Sequence, residues 1–411
     1  MKILWFCSQP LRDQDPSFTG SWLQPMAEEL LKTGKIELGV MAFGPVKKVT
    51  RLDFRQVKQW LIPAALKFGK DGLPSQSVLS DIITAVKYFS PDLIHIWGAE
   101  YFWGLLTARG IIARPALLEI QGLKSACAKV FYGGLSVRER FACISIKEIL
   151  KCRTMSSDCQ DFINWIPFEN EIIRGHRFIS VQSPWTYANI SDVNPVAKLF
   201  DTNIVLRDAF YKAPLWQSPD SPVIFTTAAY TSPFKGLHVA VKAFARLKRK
   251  FPNARLRIAG AHQRQGIRQD GYVRWINLLI KELDLRSSVD WLGALNADQI
   301  ASELACSSVA LLPTFVETCC VAMLEAMILG TPVVASYVGG IPSLGRDEES
   351  CLFFSPGDDV MCAHQLVRLL VDKDLALQIS RNSHSVASNR NDRAMLAQRQ
   401  IDIYKTLFAL V

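Results

Sequence analysis

No run of 18 apolar residues occurs in the 411-residue chain, so no segment reads as a membrane-spanning helix. No Cys-x-x-Cys pair is present, and the ten cysteines are scattered without a repeated spacing. Adjacent Cys319 and Cys320 cannot easily bridge each other, so reduced thiols in a cytoplasmic protein are expected rather than a secreted disulfide scaffold. The six histidines show no metal-ligand spacing, and no bound metal or other cofactor is expected. Internal repeats and low-complexity tracts are also missing. The opening "MKILWFCSQP" lacks the long apolar region and small-residue cleavage site of a secretory signal, and reads as a strand. The net charge is +9, most of it in the first half. Such an excess suits nucleic acid, anionic lipid or phosphorylated ligands alike. Without aromatic interleaving or a recognised motif, a nucleic-acid binder is disfavoured.

What is present is apolar sequence, 49% of the chain, enough for two full cores. In the first half, "KILWF" (2–6), "IELGVMAF" (36–43), "DLIHIW" (92–97), "ALLEI" (116–120) and "RFISV" (177–181) read as buried strands, with helical patterns at 20–34 and 80–90 between them. The second half repeats the grammar with strands at 223–229, 255–260, 289–293, 309–315, 332–336 and 351–355. Helices are expected there at about 236–251, 271–285, 296–307 and 320–329. Strands apolar throughout and separated by helices indicate parallel sheets covered on both faces. The expectation is an α/β protein of two doubly wound, Rossmann-like domains facing across a cleft. The N-terminal domain covers 1–205 and the C-terminal domain 206–390, with the Pro/Ser-rich "YKAPLWQSPDSP" (211–222) near the join. A final helix over 391–411 is expected to return to the first domain.

Ligands of such sheets sit beyond the strand C-termini, where helix N-termini attract anions. In "PTFVETCCVAMLEAMILGTPVVAS" (313–336) a strand runs into Glu317 and a helix begins near Thr318 to Cys320. The amides of Cys319, Cys320 and Val321 would face a phosphate. Glu325 lies eight positions on, roughly 10 Å away at ~1.5 Å per helical residue. That separation suits a sugar, a diphosphate and a ribose laid end to end. It equally suits an acid favouring the helix dipole plus one exposed glutamate. In "TTAAYTSPFKGLHVAVKAF" (226–244), Lys235 precedes a helix against the dipole's preference, which points to an anionic partner or else to a solvated loop lysine. In "SFTGSWLQPMAEEL" (17–30), Gly20 and the amide of Ser21 would lie against a phosphate or sugar from the opposite domain.

The order "TGSW", "PDLIHIWGAE", "LEIQG", "SPFKG", "VDWLGAL", "VETCCVAMLEAMILGTPVVAS" and "VGGIPSL…SPGDD" resembles glycosyltransferase family 4, of GT-B fold, and particularly its bacterial members that build surface polysaccharides. The resemblance implies a retaining transferase using a nucleotide-diphosphate sugar. Lys235 resembles the lysine that holds the donor diphosphate, Glu317 the acid that reads sugar hydroxyls and Glu325 the acid that grips the ribose. The resemblance gives Gly20 a place in a diphosphate loop and sets the base near "WLGAL", at Gly293. Three positions depart from the family pattern. No arginine shortly precedes Lys235, although Arg264 or Arg268 is a candidate substitute. Gln121 stands where many relatives carry a histidine against the reacting sugar. Ser343 stands where an acid often follows "GGIP".

The expected partners are a nucleotide-sugar donor and a polysaccharide, glycolipid or other glycan acceptor. The segments 51–70 and 135–153 mix basic and apolar residues, which suits either peripheral attachment to an anionic membrane face or ordinary helices with solvated basic sides. "DQD" (13–15) and "DKD" (372–374) mimic a metal-binding Asp-x-Asp, but neither reads as a strand end. A non-catalytic nucleotide-sugar sensor is the alternative reading. An epimerase would lack "ETCCVAMLEAM", and a phosphorylase needs a longer chain.

Overall fold

The computed structural model describes residues 1–12, 22–151, 153–227, 232–260 and 269–410. Two sheets divide the chain. The N-terminal lobe holds β1 (Lys2–Cys7), β2 (Glu37–Gly44), β3 (Thr50–Arg51), β4 (Lys58–Pro63), β5 (Leu93–Trp97), β6 (Ala116–Glu119), β7 (Phe178–Val181) and β8 (Lys198–Asp201). Their order is β3-β4-β2-β1-β5-β6-β7-β8, and every pairing is parallel except β3 with β4. The C-terminal lobe holds β9 (Val223–Thr226), β10 (Arg255–Ala259), β11 (Val289–Gly293), β12 (Val309–Leu312), β13 (Val333–Ser336) and β14 (Leu352–Phe354). It is wholly parallel, in the order β11-β10-β9-β12-β13-β14.

Both faces of each sheet are buried. Side chains alternate across a strand, so Leu4 and Phe6 of β1 enter one core while Ile3, Trp5 and Cys7 enter the other. In β12, Val309 and Leu311 are divided from Ala310 and Leu312 in the same way. This two-sided burial is why these strands read as unbroken apolar runs. The expected strands are all present, each ending within a few residues of its predicted limits. β3, β4 and β8 were not anticipated.

The basic and apolar segment at 51–70 forms no helix, and its apolar centre is the strand β4. Gln59, Trp60, Leu61 and Ile62 are buried in β4, because they pair with β2 inside the sheet. Three of the segment's five cations face protein acids: Arg51 meets Asp53, Arg55 meets Glu28 and Lys58 meets Glu37.

The chain crosses between lobes at its end. The last helix of the fold, α16 (Arg393–Leu410), lies on the N-terminal lobe. Its fully buried Tyr404 accepts a hydrogen bond from Trp5 Nε1 at 3.2 Å and meets His95 Nδ1 at 2.8 Å. Among the described residues no helix is long and apolar enough to cross a membrane.

Candidate functional site: a donor-rich cleft between the lobes

In the C-terminal sheet the strand order reverses between β9 and β12. Chain segments leaving these two neighbours diverge and open a crevice at their carboxyl ends. Lys235 lies on the loop after β9, and Glu317 on the loop after β12. Backbone contacts lock the two loops together. Phe315 N donates to the Phe234 carbonyl at 2.7 Å, and the Thr314 hydroxyl to the same oxygen at 3.2 Å. Gly236 has φ +75°, and a Cβ there would lie 1.8 Å from the Pro313 carbonyl, so only glycine permits this approach.

The lock brings Lys235 Nζ to 2.5 Å from Glu317 Oε1, across 82 positions of sequence. The side chains are 31% and 17% exposed, so the pair is open to the cleft. Burial disfavours the Lys235 ammonium, but the charge and hydrogen bond of Glu317 outweigh it and raise the pKa.

A helix, α13 (Val321–Leu329), begins at the same place with Cys320 at its N-cap and no side-chain cap. The N-cap side chain thus leaves its first amides uncapped, and Cys320, Val321 and Ala322 line the cleft. Underneath, Gly340 N donates to the Glu317 carbonyl at 2.8 Å. A Cβ on Gly339 or Gly340 would press to 2.1 Å and 1.9 Å from the carbonyls of Glu317 and Thr318. The glycine pair of "VGGIP" therefore seats the acid-bearing turn.

Lys235, Glu317, Thr318, Cys319, Cys320, Val321 and Gln121 line one cavity of about 310 Å³. Trp22, Gln182 and Ile204 complete its N-terminal wall. Two of these wall groups, Trp22 Nε1 and Gln121 Nε2, are buried donors without a hydrogen-bond partner. A buried orphan donor is costly unless a ligand satisfies it. The cavity thus offers an ammonium and a helix tip against one carboxylate, and two of its wall residues hold buried, unsatisfied N–H groups. That inventory fits an anionic, oxygen-rich ligand.

Several predicted residues have other work. The Thr318 hydroxyl donates to the Gln121 carbonyl, and its own carbonyl accepts from Ser183 Oγ at 3.0 Å, so Thr318 ties the lobes together. Cys319 and Cys320 turn their side chains into the core. Burial pushes the Cys319 thiol up to about 12 and the Cys320 thiol higher still, so neither is a nucleophile near neutrality.

Glu325 departs from expectation. It is 6% exposed and outside the cavity lining, because its place on α13 turns it inward. There Oε1 accepts from Arg207 Nε at 3.0 Å and Nη2 at 2.6 Å. Burial raises its pKa against the pull of that guanidinium. Gly293 is also outside the cavity lining: it ends β11 at the sheet edge with φ +71°, its carbonyl accepting from Gly260 N. The Ser343 hydroxyl turns back onto the Gly340 carbonyl at 2.7 Å. Gly20, Ser21, Arg264 and Arg268 lie outside the described residues, as does "DQD". In "DKD", Asp372 caps a helix by accepting from Leu375 N at 2.9 Å. Among the described residues no group of His, Cys, Asp and Glu could hold a metal ion.

Two further charges near the cleft carry no sequence signal. Arg390 Nη2 donates to the Gln182 carbonyl at 3.2 Å, delivering a cation to the helix tip from a distant helix. Glu100 sits behind Gln121, in space left by Gly98 and Gly122, where added Cβ atoms would approach its oxygens to 2.2 Å and 2.6 Å. Its Oε2 is buried and unpartnered, and burial pushes its pKa up to about 7.

The chain is similar to known proteins in part of its sequence and in its fold. Residues 213–386 match the family model described as Glycosyl transferases group 1. D-inositol 3-phosphate glycosyltransferase of Stackebrandtia nassauensis is 30% identical over 158 residues, 38% of this chain and 35% of that protein. The putative colanic acid biosynthesis glycosyltransferase WcaL of Salmonella typhimurium is 28% identical over 190 residues, 44% of this chain and 45% of that one. The matches thus span less than half the length of these curated relatives. Sucrose-phosphate synthase from Thermosynechococcus elongatus superposes over 100% of both chains with TM-score 0.76 at 18% identity. Anabaena Alr3699/HepE, solved in complex with UDP and glucose, superposes over 98% of this chain and 99% of its own with TM-score 0.68 at 17% identity. The chain therefore has the GT-B fold, and its residues 213–386 match the group 1 glycosyl transferases.

Proposed function

We propose that the protein is a retaining glycosyltransferase of family 4 that moves a sugar from a nucleotide-diphosphate donor to a polysaccharide, glycolipid or other glycan acceptor. The observation that carries this reading is the convergence of Lys235, the uncapped start of α13 and Glu317 on one cavity. The cation and helix amides hold the diphosphate, while Glu317 accepts hydrogen bonds from sugar hydroxyls. Gln121 donates to the sugar from the opposite wall. The anomeric carbon–phosphate oxygen bond breaks as the acceptor oxygen bonds to the same face. The acceptor proton passes to the departing phosphate oxygen. No protein nucleophile is needed. Lys235 and the amides stabilise charge growing on the leaving group, an effect of about 3–4 kcal/mol per well-placed donor. The lobes exclude water and suppress donor hydrolysis. The family's surface-polysaccharide members and the colanic acid relative favour a bacterial glycan acceptor.

The test combines a thermal-shift panel of nucleoside diphosphates with nucleotide release from nucleotide sugars in the presence of glycan acceptors. Stabilisation by a diphosphate, and release that depends on acceptor, are expected. Lys235→Ala should weaken donor binding and turnover together. Binding without acceptor-dependent release would instead make the protein a sensor, and unchanged kinetics in Lys235→Ala would remove the leaving-group role.

A further inference from the structure

The second basic-apolar segment, unlike 51–70, keeps its amphipathic character once folded. It forms two short helices, α5 (Val137–Ala142) and α6 (Ile146–Leu150), laid as a strap from the N-terminal lobe across the C-terminal one. The inner side is polar and engaged. Glu139 accepts from Ser136 N and from Lys242 Nζ, Glu148 accepts from Ser145 N and from Gly271 N, and Arg274 Nη2 donates to the Ala142 and Ile144 carbonyls. A Cβ on Gly271 would lie 1.5 Å from the Cys143 carbonyl, so the strap sits directly on the other lobe.

This inward turn removes both acids of the strap from its outer side. What remains outside is Val137, Phe141, Ile146, Ile149 and Leu150, between 61 and 75% exposed, flanked by exposed Arg138 and Lys151. Five large apolar side chains on the fourteen residues 137–150 is more than the isolated exposed apolar residue that any soluble surface carries. Both acids of the strap turn inward, as does Lys147 onto Asp270, while Arg138 and Lys151 stay outside. An outer face of apolar side chains and cations without an acid marks the class of partner as one presenting negative charge beside hydrocarbon.

We propose that the outer face of α5 and α6 docks onto a lipid leaflet bearing anionic headgroups, with the apolar side chains entering the acyl boundary and Arg138 and Lys151 resting on phosphates. This docking stands independently of the sugar-transfer reading, since it uses no residue of the cleft.

Vesicle flotation of the full chain tests it, with phosphatidylcholine alone and with added phosphatidylglycerol. The wild type should float with the anionic vesicles, and less at high salt. Phe141→Ser/Leu150→Ser should reduce flotation by at least about ten-fold, given the apolar area withdrawn. Arg138→Gln/Lys151→Gln should reduce it by roughly 25-fold on anionic vesicles, about five-fold per cation. Leu52→Ser, exposed but off the strap, should change nothing. All positions are solvent-facing, so an unchanged melting temperature certifies the fold. Wild type that does not float, or patch variants that float as wild type does, would overturn the proposal. So would a vesicle-indifferent protein whose concentration-dependent self-association is abolished by Phe141→Ser/Leu150→Ser, which would give the face to a second copy of the chain.

Discussion

Replacing Glu317 by Gln separates the two roles proposed for one ion pair, Lys235 on the diphosphate and Glu317 on the sugar. In the free cleft the Lys235 ammonium is held by Glu317 at 2.5 Å. An incoming diphosphate must share that cation with the carboxylate. Unit charges about 4 Å apart attract by about 4 kcal/mol at an effective dielectric near 20. Partial exposure and the desolvation of both groups reduce the net effect to ~1.5–3 kcal/mol. Glu317→Gln keeps the shape but removes the competing negative charge, so a nucleoside diphosphate alone should bind as well as before or up to about ten-fold tighter. The sugar loses a charged acceptor for its hydroxyls, so transfer should fall by roughly 10- to 100-fold. The alkaline limb should move as well. Glu317 raises the Lys235 pKa while burial lowers it. Without the carboxylate, burial prevails, and diphosphate binding should fail at lower pH than in the wild type. Titration calorimetry of the diphosphate and initial rates of nucleotide release measure both arms. A parallel loss of diphosphate affinity and turnover, or undiminished transfer, would refute the division of labour between the two residues.

Glu100→Gln should stabilise the protein at neutral and alkaline pH. The folded carboxyl titrates near 7 against an ordinary 4.5, so wild type loses stability as pH rises across that window. The full difference is about 3 kcal/mol above pH 7 and vanishes below 4.5, and melting curves against pH measure it. Arg207→Ala strands the buried Glu325 carboxylate and should cost about 3–5 kcal/mol, read by denaturant unfolding. A loss of activity with stability intact would return Glu325 to the donor site. Chelators should leave acceptor-dependent nucleotide release intact, because Lys235 and the α13 amides take the charge; strict dependence on a divalent cation would contradict this.

The sequence by itself determined the two parallel sheets, since strands buried on both faces must be apolar without alternation, as "KILWF" and "VALL" are. It also brought forward Lys235 and Glu317, because a cation and an acid beside helix starts are conspicuous. β4 escaped because its buried core of four residues is hidden among arginines and lysines that serve only as the sheet's rim. The meeting of Lys235 with Glu317 was beyond any local pattern. It comes from the reversal of strand order at β9 and β12 and from glycines at 236, 339 and 340 that let backbones touch. The burial of Glu325 against Arg207 was not legible, because spacing along a helix gives distance but not the direction that packing imposes. The orphan donors Trp22 and Gln121, Arg390 at the helix tip and the acids turned inward beneath the strap are likewise products of tertiary structure, which alone decides which polar groups find partners.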